Sequence, residues 1–291
     1  MSASRFRFVQ LDVPGRLGID DGRYLLRGSD DDTPEAVVVV QTFSAAPAGR
    51  RSRRQRRPRR AAPESELAEV PLTRLTVIPA DEAEPPEAAR EFERLSGDAD
   101  AAEDAVEAGL RVVNEVLRAH RIATRDPYGH EISRDAAVAV RVGYGTGEGL
   151  SEGRWKEAVE VHSPEGRRRR ADALRPSERL AAVLSGREAI DVCETLLLRA
   201  RADLDHGRQR EAALQLRIGL DALLAELPEN SGPGQEEDLS ALDGRREATR
   251  QAADEALRGE LAAERAGELA ETLATCERLL RRRQILGRDA P

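Results

Sequence analysis

The sequence has almost no lysine, methionine or aromatic side chain. Lys156 is the single lysine, Met1 the single methionine, and aromatic residues make up 3% of the 291 positions. Any core must therefore be built from Leu, Val, Ile and Ala. Only two cysteines are present, Cys193 and Cys276. Two thiols cannot make a disulfide framework or a Cys-based zinc site. Apolar runs are short, as at Val37 to Val40 and Leu196 to Leu198, so no segment reads as a membrane span. Met1-Ser2-Ala3-Ser4-Arg5 leads straight into strand-like sequence without a signal-peptide stretch, and the expected location is cytoplasmic.

Motifs that carry chemistry are also missing. There is no GxSxG serine motif. No two of His120, His130, His162 and His206 fall at i,i+4 or in a Cys/His cluster. The stretch Gly143-Tyr144-Gly145-Thr146-Gly147-Glu148-Gly149 has the wrong spacing for GxGxxG, and no GK[ST] follows. It reads as a mobile hairpin loop over 145–153, leading into a strand rather than a helix. The sequence thus assigns no catalytic, cofactor-binding or metal-ligating residue and implies no cofactor.

Charge is what the chain has in quantity: 34% of residues are charged and the net charge is -8. A field of that sign opposes non-specific adsorption to nucleic acid or anionic lipid. Apart from Lys156 all 46 basic residues are arginine, so arginine is the default cation and an Arg cluster carries less information than usual. Eight arginines nevertheless crowd into 50–60: Arg50, Arg51, Arg53, Arg54, Arg56, Arg57, Arg59 and Arg60. Such an arm could pair with phosphates and release counterions, although it holds no aromatic residue to stack on bases. It lies in 44–69, an Ala/Pro/Arg-rich stretch that reads as a disordered loop between two strands. Arg167 to Arg170 and Arg281 to Arg283 read as structural.

Periodicity gives the architecture. Strands are expected over 5–13, 36–43, 71–78, 138–144 and 154–161, with a hairpin turn at Asp20-Asp21-Gly22 joining 17–19 to 23–26. Helices are expected over 87–95 and 100–121, the second opened by Asp100 and Glu103 and covering one sheet face. Further helices follow from Pro176, with a hairpin over 190–227 turning at His206-Gly207. The last, 243–286, reads as one long helix. Its positions Ala262, Ala266, Leu269, Leu273, Cys276 and Leu280 form a coiled-coil-like seam. Cys193 and Cys276 both read as small core hydrophobes. Arg125 to His130 and Arg201 to His206 share an Arg-x4-His spacing, which resembles the ribonuclease motif of the HEPN helical domains. That resemblance implies that Arg201 would stabilise phosphoryl charge and His206 act as acid or base. In so arginine-rich a chain, chance matches to one fixed spacing are unsurprising.

The expected protein is therefore α+β. An N-terminal β-meander/hairpin sheet with covering helices occupies 1–165, and an all-helical bundle occupies 166–291. The expected function is a non-enzymatic interaction or scaffold protein acting through helix packing. A protein partner or a second copy would pack on the helix 243–286, or the chain's own hairpin would cover that seam. Two rivals are a nucleic-acid-associated protein using the arginine arm, and an enzyme whose residues converge only in three dimensions.

Overall fold

Strand β1 (Arg5–Pro14) sorts its side chains by parity. Val9, Leu11 and Val13 join one apolar cluster, while Phe8 belongs to another on the opposite face. The computed structural model describes residues 4–27, 34–45, 70–162, 170–226 and 235–286. The chain divides into two units, Met1–Gly166 and Arg167–Pro291.

The first unit is an antiparallel sheet in the order β2-β3-β4-β1-β6-β7. Its further strands are β2 (Gly22–Arg27), β3 (Pro34–Ala45), β4 (Val70–Pro79), β5 (Glu82–Ala83), β6 (Ala139–Gly145) and β7 (Glu157–Glu160). β1 is central. Leu11 stands opposite Leu75 on one side and Val140 on the other. Helices α1 (Pro85–Gly97) and α2 (Ala99–Thr124) cover the face that carries Val9, Leu11, Val38, Val40 and Leu75. α2 begins one residue earlier than expected, because Asp98 is the residue in extended backbone whose carboxylate accepts from Asp100 N and Ala101 N. Gly109 lets α2 lie close on β1, since a Cβ there would sit 2.7 Å from Val9 Cβ. Asn114, fully buried, donates to Ile132 O and accepts from Ile132 N, both at 2.9 Å, and so pins the connection to β6.

Two local expectations are overturned here. Residues 17–19 form no strand with 23–26; β2 pairs instead with β3, Tyr24 opposite Val38. The aspartates of the supposed turn serve that pairing: Asp20 O accepts from Tyr24 Oη and Asp21 Oδ1 from Thr42 N, both at 2.8 Å. The glycine-rich stretch is not a plain hairpin loop. It contains a one-turn helix, α3 (Gly147–Ser151), capped by Thr146 Oγ1 and burying Leu150 completely.

The second unit holds α4 (Arg170–Leu184), α5 (Val192–Asp205), α6 (Gln209–Glu226), α7 (Gln235–Ala256) and α8 (Ala263–Leu286). α5 and α6 make the expected hairpin, with Gly207 at φ +73 in the turn and Gly219 close against Leu197. The single helix 243–286 is corrected. The chain leaves helical geometry between Ala256 and Ala263, at Arg258-Gly259-Glu260, and α7 starts at Gln235. Glycine weakens the helix there, and Arg210 Nε caps the end of α7 by donating to Ala256 O at 2.7 Å. The break lets α8 pack back on α7, which a continuous rod could not do. Leu269, Leu273 and Cys276 of the seam are buried in one core with Cys193, Leu197 and Leu216. Those three positions are covered from within the chain, whereas Ala262 of the expected seam precedes α8 and is exposed. Asp238, almost buried, accepts from Arg278 at 3.0 Å and Arg282 at 2.5 Å, and Arg283 bonds Asp191 at 2.7 Å. Two members of the Arg281 to Arg283 run are thus tied into the fold. Among the described residues no helix is long and apolar enough to cross a membrane.

Candidate functional site

The sheet face opposite α1 and α2, partly covered by Leu150 of α3, carries the most concentrated polar chemistry of the first unit. Period-two alternation puts Gln10 and Asp12 of β1 on that face, and register brings Thr76 and Arg74 of β4 opposite them. β6 adds Arg141 opposite Gln10. Arg74 grips Asp12 with two bonds, Nε to Oδ1 at 2.7 Å and Nη2 to Oδ2 at 3.0 Å. Arg141 Nη1 reaches the same Oδ2 at 3.0 Å. Gln10, fully buried, donates from Nε2 to Thr76 Oγ1 at 3.0 Å. Burial pushes the Asp12 carboxyl up, but the bonds and charges of Arg74 and Arg141 outweigh it and hold Asp12 below the usual carboxylate range. The Arg74 guanidinium lies 4.9 Å from the Phe43 ring and 5.9 Å from Trp155, and Trp155 in turn lies 5.4 Å from Phe8. The two arginines that an ionised Asp12 holds in place can face an oxyanion with their remaining N–H groups. Asp12 itself is a poor general base, because its oxygens already accept from both guanidiniums.

The glycines beside this face serve packing. A Cβ on Gly143 would meet Glu157 O at 2.1 Å, and one on Gly145 would meet Leu150 Cδ2 at 2.7 Å. Their signal was local and visible in the sequence, but it reports close approach of backbone and leucine rather than a phosphate.

A second cluster lies at the start of α5, where ligand atoms of Asp191, Cys193 and Glu226 fall within 4.8 Å of one another. Glu226 accepts from Val192 N at 3.2 Å and Cys193 N at 3.1 Å, and Asp191 accepts from Arg283. The carboxylates are committed to helix capping and an ion pair. Burial, then Glu226, pushes the Cys193 thiol up to about 12. A neutral thiol is the wrong species for a nucleophile. Glu226 as the cap of α5 had no signal in sequence, since it comes from the far end of α6.

The two members of the Arg-x4-His pair at 201–206 are engaged by different partners. Arg201 makes a two-bond fork to Glu277, at 2.8 and 3.0 Å, and His206 Nδ1 contacts Ala202 O at 2.6 Å. Arg201 is spent on tying α5 to α8. The arm residues Arg50, Arg51, Arg53, Arg54, Arg56, Arg57, Arg59 and Arg60 lie outside the described residues, as do most of 44–69 and Arg167 to Arg169. Of the presumed loop, Ser44 and Ala45 belong to β3 and pair with Pro71 and Val70. Compared with known proteins, the chain matches no protein family, no curated protein and no solved structure.

Proposed function

We propose that the protein is a non-enzymatic interaction module that binds another protein by helix packing, through α4 and the start of α5. One observation carries this. Within thirteen residues Leu180, Leu184, Ile190 and Val192 are each more than half exposed, at 57%, 77%, 62% and 61%. Single exposed leucines are ordinary; four large apolar side chains exposed within one short stretch mark a contact surface. From residue 177 onward α4 buries no side chain fully. A fifteen-residue helix gains little from propensity alone and needs packing on an apolar stripe. Arg179 tethers it to Glu188 at 2.7 Å and to Glu194 at 2.7 and 2.8 Å. A partner helix laid on Leu180 and Leu184 would complete the packing. The test is gel filtration of native lysate. The wild type should elute in an assembly larger than a monomer, and the double variant Leu180→Glu/Leu184→Glu as a monomer with unchanged helicity. Equal elution of the two would refute the proposal.

A second reading, nucleic-acid association, is supported by where the arm is rooted. Ala45 and Val70 are paired, so both ends of 46–69 leave the sheet at one point, two residues from Phe43 on one strand and four from Arg74 on the other. Binding of an oligonucleotide that falls steeply with salt, and is lost when the eight arginines of 50–60 are replaced by serine, would support it.

A further inference from the structure

We propose that Arg74 and Arg141, held side by side by Asp12, form a binding site for a nucleotide phosphodiester on the sheet face opposite α1 and α2. This stands apart from the helix-docking role and does not depend on the arm. The argument begins with charge. Two guanidiniums share one carboxylate, so the triad keeps one unit of positive charge, which matches the single negative charge of a diester. It continues with donors. Asp12 takes Arg74 Nε and Nη2 and Arg141 Nη1, leaving Arg74 Nη1 and Arg141 Nε and Nη2 over. The Asp12 side chain is 7% exposed, whereas those of Arg74 and Arg141 are 25% and 24% exposed. The acid is therefore the floor and the arginines are the accessible layer. Stability does not account for the arrangement, because a buried ion cluster is generally no better than apolar side chains of like volume. Gln10 and Thr76 extend the polar floor where neighbouring rows of the same face hold Val39, Phe8 and Ile78.

The aromatic surroundings set the class of ester. The Phe43 ring, 36% exposed, borders the Arg74 guanidinium and offers a surface on which a base can stack. Arginine forks are suited to phosphate oxygens, and a guanidinium fixed against two rings loses little freedom on binding. Glu160 lies opposite Arg141 across β6 and β7 and is exposed. Its carboxylate opposes a doubly charged monoester more than a diester.

Trp155 is the only tryptophan of the chain and lies beside Arg74, so its emission reports on the site directly. The experiment titrates the full chain, with the eight arginines of 50–60 replaced by serine, using a thymidine dinucleotide, inorganic phosphate and oligothymidylate in parallel. Saturable change in Trp155 emission with the dinucleotide is expected, weaker with inorganic phosphate. Arg141→Gln should weaken it about tenfold or more, the loss of charge-assisted bonds. Glu160→Gln changes an exposed side chain and should strengthen binding a few-fold, which keeps the test decisive should Arg141→Gln fail to fold. Oligothymidylate binding without dinucleotide binding would assign the effect to a longer strand's general electrostatics and overturn this site. No saturable change with any ligand, or binding indifferent to both substitutions, would overturn it as well. Binding that occurs only when the arginines of 50–60 are present refutes this site while leaving the arm reading intact.

Discussion

Alanine placed in turn at Gly143, Gly145 and Gly147 separates a packing role for the glycine-rich stretch from a ligand-binding one. At Gly143 the new Cβ would lie 2.1 Å from Glu157 O and 2.8 Å from Ala158 Cα, both backbone atoms of the neighbouring strand. Neither can move without prying β7 from β6, so the cost is that of severe overpacking, about 3 kcal/mol. At Gly145 the contact is Leu150 Cδ2 at 2.7 Å, a side chain that is buried but can turn, and the cost falls to about 1–2 kcal/mol. At Gly147 only the Phe6 ring is near, at 3.3 Å, and the residue opens α3. There the gain in helix propensity offsets the contact to within about 0.5 kcal/mol. For a unit of this size each kcal/mol lowers the melting temperature by about 2–4 °C, so Gly143→Ala should melt about 6–12 °C lower than wild type. Differential scanning calorimetry of the three variants should rank them Gly143, Gly145, Gly147 in order of damage. Equal stability of Gly143→Ala and wild type would show that β7 does not pair with β6 as described.

Three further outcomes follow from the packing. Burial pushes the thiols of Cys193 and Cys276 up to about 12, so both should react slowly with a thiol reagent in the native state and rapidly in denaturant. Asp12 has its folded pKa below the unfolded value, so its stabilisation is fully present above about pH 4 and disappears as pH falls through the folded value. The stability gap between wild type and Asp12→Asn, read by urea melts, should hold constant from pH 5 to 8 and narrow below pH 4. Leu273→Ala empties a fully buried position in the seam and should cost about 2–5 kcal/mol without altering the sedimentation coefficient, because that seam is covered from within the chain.

The sequence made the strands visible wherever β-branched runs or alternation were strong, as at 36–43 and 71–78, and the ends moved by a residue or two. It misled where local chemistry had two uses. Asp20-Asp21-Gly22 is a good turn, yet Tyr24 and Leu26 pack on the helix-covered core, and only β3 brings them there. The pattern from 243 to 286 is helical almost throughout, so the break showed only as Gly259, and its purpose, folding α8 onto α7, depends on contacts far along the chain. The apolar stripes of α5, α6 and α8 were legible because each is local. The Asp12 cluster was not. Polar residues at alternate places in β1 were its sole trace, and Arg74 and Arg141 come 62 and 129 positions later through register alone.

The role assigned to α4 is tested most directly by a photo-crosslinking amino acid placed at Leu184 in the native cell, with an exposed control at Glu260. A discrete adduct to one protein from position 184, absent from position 260 and abolished by Ile190→Glu/Val192→Glu, is the predicted result. The same diffuse background from both positions would contradict a docking surface at α4 and the start of α5.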